Sequence, residues 1–135
     1  MAFVLDASIT AVWAFDDEDH PVAGLARQAL LDDPAYAPSL WWFELRNTLI
    51  VNERRKRITE MQITRFLETL ARLPIELDFE PNELTVLTVA RRHRLTVYDA
   101  SYLELALRLG LPLATLDGEL IAAAKAENIK LIGNQ

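Results

Sequence analysis

Ala2-Phe3-Val4-Leu5-Asp6-Ala7-Ser8 is the stretch on which the fold turns. Four apolar residues read as a short buried strand, and an aspartate follows where an amphipathic helical pattern begins. The same order returns at Leu95-Thr96-Val97-Tyr98 before Asp99-Ala100-Ser101, and at Leu113-Ala114-Thr115-Leu116 before Asp117-Gly118. If these are strand ends or helix starts on one edge of a parallel sheet, three carboxylates face one crevice. Open α/β sheets place their sites at that edge. Grouped hard oxygen donors in turn suit a divalent cation.

Working outward, residues 2–5, 35–37, 75–77, 111–116 and 129–132 read as short strands. Helical patterns cover 8–15, 22–31, 38–55, 59–73, 80–93, 99–108 and 117–127. Thr59-Glu60-Met61-Gln62 is close to a capping box, and Gly110 is placed to stop the helix before it. Short strands alternating with helices argue a parallel sheet covered on both faces. No linker or low-complexity tract divides the chain, so residues 1–135 are expected to form one domain.

Composition removes several classes of function. There is no cysteine, which excludes disulfides, zinc ribbons and thiol catalysis. His20 and His93 stand in no metal-ligand spacing and read as plain surface residues. No segment approaches the roughly 18 uncharged residues of a membrane span. Asp6 interrupts the only apolar run near the start and no basic region precedes it, so no secretory leader is expected. A cytoplasmic location follows from that reading.

The net charge of -6 is unevenly spread. Residues 1–45 hold eight acids and one base, whereas residues 46–72 hold seven bases and three acids. An acidic protein with one basic stretch can still meet a polyanion through that stretch. Arg54-Arg55-Lys56-Arg57, in the turn between two helices, is its densest part. It reads either as a contact for the phosphates of a polyanion near the acidic crevice or as a solvated turn.

Each aspartate also has a local explanation, because Asp is a favoured helix N-cap. Glu44 does not. It lies within Leu40-Trp41-Trp42-Phe43-Glu44-Leu45, among large apolar side chains, and must reach water or find a partner. Asn47, one turn on, is placed to hydrogen-bond it. Four acids in one crevice repel each other by about 4 kcal/mol per contact at roughly 4 Å and an effective dielectric near 20. A divalent cation removes the conflict, and oxygen-only donors select Mg²⁺, with Mn²⁺ as substitute. Phosphodiester hydrolysis is the reaction that such equipment serves.

With these positions in hand, the chain resembles a PIN-domain ribonuclease of the VapC type, the toxin of a type II toxin–antitoxin pair. The matching pieces are Val4-Leu5-Asp6-Ala7-Ser8, Glu44-Leu45-Arg46-Asn47, Asp99-Ala100-Ser101-Tyr102 and Leu111-Pro112-Leu113-Ala114-Thr115-Leu116-Asp117. The resemblance implies a three-layer α/β/α sandwich around a five-stranded parallel sheet. It implies Mg²⁺-dependent endoribonuclease activity, an RNA substrate and a cognate antitoxin protein. By position, Asp6 and Asp99 would be principal metal ligands, with Glu44 and Asp117 as the further acids. Thr115 and Ser8 would orient carboxylates, although local backbone capping explains both hydroxyls equally well.

Trp41-Trp42-Phe43 spans about 200° of a helix, more than one core-facing stripe needs. Either an aromatic serves a partner, a second copy or an antitoxin helix, or all three pack in the core. A homodimer is expected on the first reading. Two competing functions share the sheet-edge acids: a phospho-accepting receiver-like regulatory domain and a non-catalytic PIN-like binding module. The receiver needs paired acids after the first strand and a late lysine near the site. Asp6 stands alone, and Lys125 lies far along its helix.

Overall fold

The computed structural model describes residues 1–133. Its element order is β1 (Phe3–Leu5), α1 (Ala7–Val12), α2 (Pro21–Ala29), β2 (Ala35–Pro38), α3 (Leu40–Arg54), α4 (Glu60–Leu70), β3 (Ile75–Asp78), α5 (Glu83–His93), α6 (Val97–Leu109), β4 (Leu113–Ala114) and α7 (Gly118–Ala126). The four strands pair in parallel in the order β3-β2-β1-β4. Successive residues of β1 point to opposite faces, yet Phe3, Val4 and Leu5 are all fully buried. Helices therefore cover both faces of the sheet, as parallel strands require.

The chain steps from β1 outward through β2 to β3, then returns to the other side of β1 for β4. The direction of winding reverses between β1 and β4, so the crevice beyond their carboxyl ends is the topological switch point. Asp6 leaves β1 there, and its N–H extends the ladder to Ala114 O at 3.0 Å. Thr115 to Asp117 leave β4 at the same place. Below this edge α6 is buried on every side from Ala100 to Ala106. Its one buried acid, Glu104, is met by Arg108 at 2.8 Å, which also reaches Asp78 at the end of β3 at 2.7 Å.

Among the described residues the sheet has four strands where five were expected, and 129–132 contributes one parallel bridge, Leu131 to Leu113. The bonds Leu113 N to Lys130 O and Ile132 N to Leu113 O complete that rung. On its other side the exit of β4 is tied to α1, where Ser8 Oγ accepts the Leu116 N–H. Of the two readings left open for Leu95–Tyr98, strand end or helix start, the structure shows the helix start. Thr96 caps α6 by accepting the Asp99 N–H, and Val97 and Tyr98 already lie in the helix. The capping box is present, with Thr59 and Gln62 bonding each other's backbone N–H. No described helix is long and apolar enough to cross a membrane.

Candidate metal centre

Asp6 occupies the N-cap position of α1, yet its side chain makes no capping bond. Its Oδ2 instead accepts two hydroxyl protons, from Ser8 at 2.7 Å and from Thr115 at 2.6 Å. Both hydroxyls act again. Ser8 Oγ accepts the Leu116 N–H, and Thr115 Oγ1 accepts the Asp117 N–H at 3.0 Å. The sequence left orientation and capping open for these hydroxyls; they do both, and so tie the exits of β1 and β4 together. Asp117 is a true N-cap, its Oδ1 accepting from Leu120 N at 2.9 Å.

Glu44 is half-buried on α3. Trp41, Leu45, Leu49 and Asn52 form the buried stripe of that helix, which turns Glu44 aside from the core. Its partner is not Asn47, which is exposed, but Tyr102: the phenol donates to Glu44 Oε1 at 2.6 Å. Asp99 stands half-buried in the first turn of α6, and the cap there belongs to Thr96.

The four acids share one electrostatic field. Burial raises the Asp6 carboxyl against the pull of its two hydroxyls, and Asp117 adds to the rise. Burial also raises Glu44, with Asp6 and Asp99 contributing. Asp99 is lifted to about 6, first by burial, then by Asp117, Asp6 and Glu119. None of the four is in an ion pair among the described residues. Mutually raised carboxylates without a nearby cation suit a divalent ion in donor type and in charge. Their spacing is looser: among the described residues no three acids or histidines are grouped closely enough to hold an ion as they stand. They share a field rather than a finished coordination shell.

Two contributors escaped the sequence reading. Glu119, in the first turn of α7, adds to the field on Asp99. Tyr102 enters the sequence reading only within Asp99-Ala100-Ser101-Tyr102, with no role given to it, and its spacing of three from Asp99 was the available signal.

The remaining expected site residues are scattered. Arg54, Arg55 and Lys56 are exposed where α3 ends, ten residues and about 15 Å along the helix axis from Glu44. Arg57 is engaged elsewhere: it bonds Asn52 Oδ1 at 2.9 Å, pairs with Glu18 at 3.4 Å and lies over the Phe15 ring. His93 is not a plain surface residue, since its ring meets Glu127 at 2.6 Å. His20 is exposed and caps α2. Of the aromatic trio, Trp41 is buried and donates to Thr10 Oγ1. Trp42 and Phe43 are 42% and 69% exposed, edge to face, with the Arg46 guanidinium 3.9 Å over Trp42. Two clefts of about 430 Å³ flank α2 and α4, and none of the four acids lines either.

Comparison with known proteins follows the same outline. The PIN-domain family model matches residues 3–126. No curated protein matches the sequence. The chain is similar in structure to PAE2754 from Pyrobaculum aerophilum, with 26% identity and a TM-score of 0.72 over 91% of this chain and 84% of that one. It also resembles VapC20 of Mycobacterium tuberculosis, described as a sarcin-ricin loop cleaving toxin, with 16% identity and a TM-score of 0.63 over 90% and 94%. FitAcB from Neisseria gonorrhoeae gives 17% identity and a TM-score of 0.58 over 99% and 98%. The last two likenesses are of fold alone.

Proposed function

Because this chain belongs to the PIN-domain family, we propose that it is an Mg²⁺-dependent endoribonuclease, the toxin of a toxin–antitoxin pair. The observation that carries the reading is the meeting of Asp6, Glu44, Asp99 and Asp117 in one field at the switch point of the sheet. Burial and mutual repulsion raise the pKa values of Asp6, Glu44 and Asp99, and no basic partner faces them among the described residues. The toxin part of the reading draws on the VapC-type motifs and on the likeness to VapC20.

In this reading Asp6 and Asp99 are the principal ligands, with Glu44 and Asp117 completing the set. A cation held there supplies charge stabilisation at a phosphoryl oxygen and an acidified water. The chain does the rest. Ser8 and Thr115 fix one oxygen of Asp6, which leaves the other to the ion. Asp117 spends Oδ1 on its own helix and offers Oδ2. Asp6, Glu44, Asp99 and Asp117 are the residues that would hold the ion, although they stand looser than a coordination shell. Arg54, Arg55 and Lys56 then serve the RNA backbone at a distance rather than the scissile group.

The exposed Trp42 and Phe43 support a partner surface on α3, covered by the antitoxin or by a second copy in a homodimer. Family membership leaves the receiver-like alternative without support, and the full set of four acids disfavours a non-catalytic module. A cytoplasmic site of action belongs to the same reading.

The test is direct. Purified protein with single-stranded RNA and Mg²⁺ should yield cut products that chelation with EDTA abolishes. Asp6→Asn and Asp99→Asn should each lower the rate by on the order of 10²-fold or more, with far-UV circular dichroism unchanged. Cleavage that persists in EDTA, or in both variants, would remove the proposal.

A further inference from the structure

We infer that Tyr102 is the positioning residue that fixes Glu44, an inference that rests on the nuclease reading above. Tyr102 is fully buried on α6, and a phenylalanine would fill the same volume. Its oxygen has one side-chain task, the 2.6 Å bond to Glu44 Oε1 across 58 residues of chain. The same helix carries Asp99 one turn earlier, on the same side. One rigid, buried element therefore delivers an acid to the crevice and also sets the orientation of a second acid on α3. The phenol is the side-chain hydrogen bond that ties the acid of α3 to the helix that carries Asp99. Asn47, the alternative on α3 itself, is exposed and unbonded to Glu44 among the described residues.

The bond also sorts the oxygens of Glu44. Oε1 is committed to the phenol, and Oε2 is left without a protein donor among the described residues. A long, flexible carboxylate is thereby presented through one oxygen, in one rotamer. Loss of the tie frees several rotamers and costs ordering when an ion arrives. A bond of this kind, one step removed from the ligand, tunes metal affinity as well as rate.

Tyr102→Phe deletes the donor to Glu44 and also the acceptor of the Ala7 backbone N–H, so a stability loss alone does not count for the role. Two quantities are read on the full chain: Mn²⁺ affinity by calorimetry without RNA, and steady-state cleavage. The expected result is Mn²⁺ binding weakened on the order of 10-fold and a comparable fall in kcat, with KM for RNA unchanged. A purely structural role would lower stability and leave both of those alone. In a Glu44→Gln background, adding Tyr102→Phe should change Mn²⁺ affinity no further.

Equal affinity and kcat in Tyr102→Phe and wild type, in a protein that cuts RNA, overturns the role of Tyr102 alone. So does an undiminished loss in the Glu44→Gln background. Wild type that neither binds Mn²⁺ nor cuts RNA overturns the nuclease reading and this inference with it. Should Tyr102→Phe fail to fold, the ¹³Cζ resonance of Tyr102 in labelled wild type, assigned with Tyr36→Phe and Tyr98→Phe, reads the bond directly. It should move on Mg²⁺ addition, and a resonance that stays fixed overturns the proposal.

Discussion

Thr115 shows how much one hydroxyl can carry. Fully buried, it gives its proton to Asp6 and takes one from the Asp117 backbone, so a single atom serves two of the four acids. Thr115→Val keeps the shape and removes both bonds. An unsatisfied buried polar group costs about 1–3 kcal/mol, and a loss of that size is expected in urea unfolding. Cleavage should fall as well, since Asp6 then has one donor where it had two. Unchanged unfolding would show that the hydroxyl is replaceable.

Asp99 makes the opposite case, a group whose environment disfavours its charge. Its native pKa is about 6 against an ordinary 3.8. The native state then binds the proton more tightly than the unfolded state, so this group lowers stability as pH climbs through the window from roughly 4 to about 6. In EDTA, Asp99→Asn should raise the melting temperature at pH 7.5 by a few degrees and flatten its dependence on pH between 5 and 7.5. A variant with the wild-type slope would assign that slope to other groups. Tyr102 was opaque in the sequence for a related reason: a tyrosine inside an apolar helix declares its ring, and its oxygen has meaning only once α3 is folded beside it.

Elements were legible where their ends carry chemistry. Thr59 and Gln62 announced α4, and Asn82 caps α5 by accepting the Thr85 N–H. The acids at 6 and 117 were placed correctly at strand exits because a buried strand and a following cap leave a local trace. Asp99 is a helix start, one of the two placements the sequence left open, and the Thr96 side chain begins that helix two residues ahead of the expected start. The strand expected at 129–132 is reduced to one bridge for a nonlocal reason, since among the described residues its partner β4 is only Leu113–Ala114. Periodicity in 129–132 holds no information about that.

Glu104 tests how α6 is held. Its carboxylate is buried, and Arg108 is its partner while also clasping Asp78 on β3. Arg108→Met strands a buried charge, which costs about 3–5 kcal/mol. The double change Glu104→Gln with Arg108→Met should recover much of that loss. Chemical denaturation of the three proteins measures it, and additive losses would show that the pair does not act as a unit.

Across the whole molecule the charges are divided: an acidic crevice, an acidic segment before residue 45, and a basic turn at the far end of α3. Arg57 is occupied by Glu18 and Asn52, so among the described residues the free charges there are Arg54, Arg55 and Lys56. Reversing these three to Glu should weaken RNA binding and reduce the magnitude of its salt slope by up to about 2, roughly 0.7 for each phosphate no longer neutralised on a single strand. The rate at saturating RNA should hold. An unchanged slope would mean that the turn is only solvated.

The Ser8 and Thr115 clasp has a consequence during synthesis. It joins a carboxylate six residues from the start of the chain to hydroxyl and backbone groups more than a hundred residues later. No truncated translation product ending before β4 can close it. A chain that stops there leaves Asp6 without the Thr115 donor, and the two strand exits are joined only once residues 113–117 are in place.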